Sequence, residues 1–194
     1  MPDLSGKQLR GRNSVKVHAL PLPLRGKPTF TLPDYAELHC LTHFSFQRGA
    51  STPEEMVERA YQLGYTALAI TDECSVAGIV RAHVALRDLP AKLDEYEREH
   101  PDEPPIPRNP GFRLLFGSEF QFERFRLVVI ANGTEGWGNL CEFITAARNT
   151  ELPKGEYRVS WEDSDVASLR DCRFFSCRSA TPAARWTWRR CTKT

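Results

Sequence analysis

Short apolar runs and amphipathic helical patterns alternate along residues 35–148, and this alternation limits the chain to few folds. Ala36–Cys40 alternates in polarity, as a half-buried strand does. The continuous apolar run at 66–70 is typical of a strand buried on both faces. Between these two runs, Pro53 and two glutamates precede apolar residues at helical spacing that end at Gly64. The pattern therefore predicts a strand–helix–strand unit.

The same alternation continues after an interruption. A second helix is predicted at about 75–87, and six prolines with an acidic cluster at 90–110 indicate an exposed insertion, whose first half can add a helical turn or two. Strands at 112–116 and 125–130 and a helix at about 137–148 complete the order. Because this order is typical of βαβ units, the predicted fold class is α/β with a parallel sheet.

Composition changes at both ends of the domain predicted at 34–170. Residues 1–33 contain Pro, Gly, Lys and Arg without a period, which predicts an irregular arm that is either solvated or touches phosphate. Residues 171–194 hold six Lys and Arg, half of the cysteines and half of the tryptophans, and predict an irregular basic tail. Two interpretations stay open: nucleic-acid binding with Trp186 and Trp188 as stacking groups, or a stretch read in a shifted frame.

The composition argues against membrane and secreted classes. The longest apolar run, at 127–131, is far shorter than the roughly 20 residues that cross a bilayer. No apolar stretch follows Met1, so a cytoplasmic location without a membrane partner is predicted, and the six cysteines are expected to be reduced. The net charge of +1 gives no general indication of nucleic-acid binding.

Metal-type side chains lie at the ends of three predicted strands, at 37–43, 72–73 and 119. Because the carboxyl ends of parallel strands meet at one edge of a sheet, these groups are expected to lie close together. Imidazole and carboxylates in such a place can hold Zn, Mn or Mg ions that activate water for phosphoester cleavage. Each group also has a structural interpretation, such as a hydrogen-bonded histidine or an aspartate that caps a helix.

The combined strings resemble one known module over roughly residues 34–165. It is the N-terminal PHP (polymerase and histidinol phosphatase) domain of bacterial C-family DNA polymerases, nearest to their error-prone branch. The resemblance implies a distorted (β/α)7 barrel, of which this chain supplies the first half. It is carried by Glu37-Leu-His, Phe44-Ser-Phe, Gly49-Ala-Ser, Ala67-Leu-Ala-Ile-Thr-Asp-Glu-Cys-Ser-Val-Ala-Gly, Phe116-Gly-Ser-Glu-Phe and Glu135-Gly-Trp-Gly-Asn-Leu-Cys-Glu-Phe-Ile.

The resemblance also implies a degenerate metal site and no catalytic residue in this chain. The candidate ligands of that site are His39, Asp72, Glu73 and Glu119. His43 is four residues beyond the first histidine, which places it in the following loop as a surface or structural residue.

Three positions depart from the family's metal-binding pattern. Leu41 stands where the second histidine of a His-x-His motif is usual, and Glu73 replaces the histidine of Thr-Asp-His. Arg48 stands where a further acidic or histidine ligand is usual. Because an arginine among carboxylates can replace a metal ion with a salt-bridged cluster, we expect this chain to bind no metal.

Function follows from the resemblance alone. It implies template-directed DNA synthesis in DNA repair and translesion synthesis by a nucleotidyltransferase that uses Mg²⁺ and deoxynucleoside triphosphates. The chain would be an N-terminal fragment of an error-prone DNA polymerase, inactive by itself, with a structural PHP module. Its implied partners are DNA, deoxynucleoside triphosphates, a sliding clamp and accessory mutagenesis proteins. The alternative is a free-standing, metal-dependent phosphoesterase of the PHP superfamily, which should have metal ligands at positions 41, 48 and 73.

Overall fold

The computed structural model describes residues 34–149, 152–153, 155–178 and 187–188. This part of the chain is mixed α/β, which confirms the predicted class. Its elements, in chain order, are β1 (Ala36–Cys40), α1 (Pro53–Gln62), β2 (Ala67–Ile70), α2 (Ala77–Glu99), β3 (Arg113–Gln121), β4 (Phe125–Ala131), α3 (Gly133–Arg148), a 3₁₀ turn (Val166–Ser168), β5 (Cys172–Arg178) and β6 (Thr187–Trp188).

Helix α1 starts and stops where its sequence dictates. The Thr52 side chain accepts a hydrogen bond from the Glu55 N–H, and the Glu55 carboxylate accepts one from the Thr52 N–H, which forms a capping box. Pro53 occupies the first turn, where a missing N–H costs little. After the helix, Gly64 adopts a φ of 76°, a conformation that suits glycine. The helix buries Val57, Ala60 and Tyr61.

Within the described residues, the sheet contains six strands in the order β1-β2-β3-β4-β5-β6. Strands β1, β2 and β3 are parallel, as predicted, and are joined through α1 and α2. The prediction of a parallel sheet is wrong from β4 onward, where neighbouring strands run antiparallel. Only residues 122–124 separate β3 from β4, and so short a connection joins antiparallel strands.

The apolar core lies on both faces of the sheet. On β3, Leu114, Phe116 and Phe120 belong to the clusters that pack against the helices. Leu115 belongs to a smaller cluster with Ala69, Val128, Ile130 and Phe175. Because successive side chains of a strand point to opposite faces, the three helices cover one face and the smaller cluster lies on the other.

Helix α2 is longer than predicted and contains Pro90. Residues 90–99, the first half of the predicted insertion, continue the helix beyond the turn or two that was expected there. Leu89 and Leu93 are buried, with Leu86 and Tyr96 packed beside them at helical spacing. Burial of this apolar stripe offsets the one backbone hydrogen bond that a proline removes.

The segment after Asp171 also differs from the prediction. Residues 172–178 form strand β5, which pairs with β4 along its whole length, so the expected irregular structure is wrong for these residues. Phe175 and Cys172 are buried against the sheet. The rest of the tail, apart from a short strand at 187–188, and the arm at 1–33 lie outside the described residues. No helix in the described part is long and apolar enough to cross a membrane.

Candidate functional site

The candidate site lies at the carboxyl edge of the three parallel strands. The chain leaving β2 stays against β3 here, because Glu73 and Glu119 form a parallel bridge and the Cys74 N–H donates to the Glu119 carbonyl at 2.8 Å. His39 lies on β1 at an irregularity in the register between β1 and β2. From Glu37 to Cys40 the chain advances three residues on β1 but only two on β2, from Leu68 to Ile70. Such bulges change the direction in which side chains point.

Glu119 is the centre of the site, with a fully buried side chain. The Oε2 atom of Glu119 lies 2.6 Å from His39 Nε2, and its Oε1 atom accepts a hydrogen bond from Arg48 Nη1 at 2.5 Å. Burial opposes ionisation of Glu119, but the hydrogen bonds from His39 and Arg48 and the Arg48 charge outweigh it. The pKa of Glu119 therefore falls from its usual 4.5 to about 2.

Arg48 joins two carboxylates through one nitrogen. Its Nη1 atom also donates to Glu73 Oε2 at 2.6 Å, so it lies between Glu73 and Glu119. Partial burial favours the neutral guanidine. The hydrogen bonds to Glu119 and Glu73 and their negative charges outweigh this effect and raise the pKa of Arg48 above its already high value. The arginine is therefore a permanent cation at the centre of the site.

Tyr157 holds the other oxygen of Glu73. Its hydroxyl donates to Glu73 Oε1 at 2.9 Å and accepts from the Gln121 N–H at 2.9 Å. Burial and the neighbouring Glu73 charge outweigh the Gln121 contact and raise the pKa of the phenol above its ordinary value. The phenol consequently stays protonated and remains a donor to Glu73 across the physiological range.

Asp72 faces the loop after β1 instead of the arginine. Its Oδ1 accepts from the Thr42 N–H and the Ser45 hydroxyl, and its Oδ2 accepts from the Thr42 hydroxyl, all at 2.7 Å. The carboxyl group is almost completely buried, with 1% exposure. Both of its oxygens are thus engaged by protein donors, so Asp72 organises the loop that carries Arg48.

The loop itself has little room to move. A Cβ at Gly49 would lie 2.0 Å from the Thr42 carbonyl oxygen, so only glycine fits there. Gln47 adopts a φ of 61°, and the His43 N–H donates to the Ser51 carbonyl at 2.9 Å. Arg48, between Gln47 and Gly49, is therefore held in place by backbone geometry as well as by its ion pairs.

The structure brings three of the four predicted site residues into one cluster, namely His39, Glu73 and Glu119. Asp72 is adjacent but bonds the loop, and exposed His43 packs its ring on Phe44 at 4.5 Å. Sequence reasoning missed Tyr157, because its partner Glu73 is 84 residues away and no motif marks the segment. It also missed Arg126, whose Nε lies 4.0 Å from Glu119 Oε1.

The residues present do not fit a metal ion. Across the described ranges, no three His, Cys, Asp or Glu side chains are grouped so that they could hold one. The guanidinium of Arg48 occupies the space between the Glu73 and Glu119 carboxylates. The oxygens of Asp72 already accept hydrogen bonds from Thr42 and Ser45. The expected absence of bound metal stays a prediction.

Acid should weaken the fold through Glu119. Because its folded pKa of about 2 lies below its ordinary value, the stability that it contributes is complete above about pH 5. That stability is lost as the pH falls towards 2, and we expect a loss of ~2 kcal/mol in the free energy of unfolding. Urea denaturation at pH 6, 4 and 3 measures this effect. Glu119→Gln should show a shallower slope over the same range, and equal slopes would contradict the assignment.

Known proteins with similar sequences place the chain in a family. The family model of the PHP domain matches residues 37–171. Error-prone DNA polymerases from Azoarcus sp. (strain BH72) and Ralstonia nicotianae are 50% and 44% identical over 141 and 150 residues, covering 70% and 72% of this chain. The chain spans only 13% and 12% of those relatives' lengths.

A solved structure from Bifidobacterium adolescentis, described as a candidate metal-dependent phosphoesterase, is also similar, with a TM-score of 0.40 and 20% identity. The match covers 71% of this chain and 44% of the Bifidobacterium chain. The family match spans well over half of the chain, from within β1 to the residue before β5. It includes all residues of the group that we call the Arg48 cluster, namely His39, Arg48, Glu73, Glu119 and Tyr157. The resemblance seen in the sequence is confirmed, and the chain belongs to the PHP domain family.

Proposed function

We propose that this chain supplies the PHP module of an error-prone DNA polymerase and that the module is architectural. The polymerase assignment is supported by 50% identity over 141 residues to a relative of that name. The architectural role is supported by Arg48 Nη1, which lies between Glu73 and Glu119 where a hydrolytic PHP site would need an accessible cation. In this proposal, DNA, deoxynucleoside triphosphates and Mg²⁺ are used by another part of the polymerase.

A chimeric polymerase tests the first half of the proposal. Residues 34–178 of this chain replace the matching segment of the Azoarcus polymerase, and primer extension is measured. Because the module is expected to pack as its relative does, extension should stay within about threefold of the parent enzyme. A chimera with Asp72→Ala is the control for a module that does not fold. Loss of more than nine-tenths of the activity in a soluble, folded chimera would contradict the proposal.

The second half is tested by hydrolysis and metal content. The full chain is incubated with p-nitrophenyl phosphate and Mn²⁺, Zn²⁺ or Mg²⁺, and the purified protein is analysed for bound metal. We expect no turnover above buffer and less than about one metal ion per ten chains, because no ligand set in the described residues is open. Turnover, or two to three metals per chain, would instead favour the free-standing phosphoesterase.

A further inference from the structure

The Arg48 cluster has the donor chemistry of a metal site with a cation already inside it. Carboxylates such as Glu73 and Glu119 are donors that suit Mn²⁺ or Zn²⁺. In this structure, Glu73 Oε2 and Glu119 Oε1 converge instead on Arg48 Nη1, at 2.6 and 2.5 Å. These contacts are about half an ångström longer than the 2.0–2.2 Å of a Zn–carboxylate bond. One nitrogen of the chain thus occupies a position that a metal ion could take.

The carboxylates around Arg48 are oriented by groups that do not depend on it. Glu73 is fixed through its second oxygen by the hydroxyl of the half-buried Tyr157, and Glu119 through its second oxygen by His39. Glu119 is fully buried, and the side chain of Glu73 is 26% exposed. Outer contacts of this kind hold ligands in place around a metal ion. Removal of the Arg48 side chain would therefore leave the Glu73 and Glu119 carboxylates in place without the cation that bridges them.

Arg126, another positive charge near Glu119, cannot replace Arg48. Arg126 Nε lies 4.0 Å from Glu119 Oε1, and this side chain is 42% exposed and donates to Gln121 instead. Two carboxylates brought together at a buried site need a cation between them, because their mutual repulsion is only weakly screened there. A divalent ion of the size that imidazole and carboxylate bind would meet that need.

We propose that Arg48 is an internal replacement for a bound cation, and that this one residue makes the folding of the domain independent of metal. The positive charge is carried on the chain, in the loop that Asp72 organises, and so cannot be lost to a chelator. The proposal stands on the cluster alone and does not depend on polymerase activity.

Thermal unfolding of the full chain in EDTA, MnCl₂ or ZnCl₂ tests the proposal. The unaltered protein should melt at the same temperature in all three solutions, within about 1 °C. Arg48→Ala should melt lower in EDTA and recover about 5 °C or more when saturated with Mn²⁺ or Zn²⁺, because the ion binds the folded state. Direct binding is measured by calorimetric titration of the same two metal salts.

Matched variants separate this effect from a general loss of charge. Arg126→Ala removes a nearby positive charge without opening the position between Glu73 and Glu119, so it should show no response to metal. Arg48→Ala combined with Glu73→Gln removes a ligand and should lose the response. If Arg48→Ala is insoluble, Arg48→Gln, which keeps most of the side-chain length, is measured in its place.

Three outcomes would overturn the proposal. The first is stabilisation of the unaltered protein by Mn²⁺ or Zn²⁺, which would mean that Arg48 does not occupy the cation's position. The second is an Arg48→Ala or Arg48→Gln protein that folds, binds neither ion and melts like the unaltered chain. A response that persists after Glu73→Gln would place the metal elsewhere and would also contradict it.

Discussion

Asp72→Ala should lower the free energy of unfolding by ~4 kcal/mol, the largest effect expected from a single side chain near the site. The carboxyl group of Asp72 is buried and accepts hydrogen bonds from the Thr42 N–H, the Thr42 hydroxyl and the Ser45 hydroxyl. Alanine would leave these donors without an acceptor in a buried place, which costs far more than the bonds contribute when formed. The loop that holds Arg48 would loosen at the same time.

Urea denaturation measures this effect, with Asp88→Ala as the matched control. Asp88 lies on α2 with 45% of its side chain exposed, and its partner is the adjacent Arg87, so its loss should leave the stability almost unchanged. Asp72→Asn should fall between the two, because its amide offers one acceptor oxygen instead of two. Equal stabilities for the Asp72 and Asp88 variants would show that the loop does not depend on Asp72.

Two glycines of helix α3 should respond to alanine in opposite directions. A Cβ at Gly136 would lie 2.1 Å from the Asp171 carbonyl oxygen, where the chain enters β5. That carbonyl accepts from the Asn132 N–H at 2.8 Å and is backbone, so it cannot turn away as a side chain could. We expect Gly136→Ala to destabilise the protein by ~3 kcal/mol, because the helix and the strand must separate.

Gly138→Ala is the control for this prediction, since a Cβ at Gly138 would meet nothing within 4 Å. Alanine restricts the unfolded chain and favours a helix interior, so it should raise stability by about 0.5–1 kcal/mol. Thermal or urea unfolding of the two variants compares their signs directly. If Gly136→Ala were also stabilising, the close contact between α3 and the start of β5 would be wrong.

Local patterns in the sequence predicted the first part of the fold well. Strand β1 has the predicted bounds, and α1 begins at Pro53 and ends before Gly64 as expected, because a first-turn proline and a terminal glycine are local signals. The chemistry at the strand ends was also predictable, since parallel strands bring His39, Glu73 and Glu119 to one edge. Arg48 was predicted to act among carboxylates, and the structure places it between two of them.

Long-range partners decided what the sequence could not predict. Strand β5 lacks a clear alternation, and it forms because Phe175 and its neighbours pair with β4, more than forty residues earlier in the chain. Pro90 normally ends a helix, but the buried Leu89 and Leu93 keep α2 intact around it. Tyr157 has no local motif, and only the folded chain brings it to Glu73.

The separation of the clustered residues along the chain has a consequence for synthesis on the ribosome. The pairs His39–Glu119, Arg48–Glu119 and Glu73–Tyr157 join residues 80, 71 and 84 positions apart. A growing chain can assemble α1, β2 and α2 early, because their contacts are closer in sequence. Until Glu119 and Tyr157 emerge, however, the nascent chain carries the Arg48 and Glu73 charges without their later partners. Ribosomal pauses within this interval would therefore prolong the stage at which the new chain is most open to proteases and chaperones.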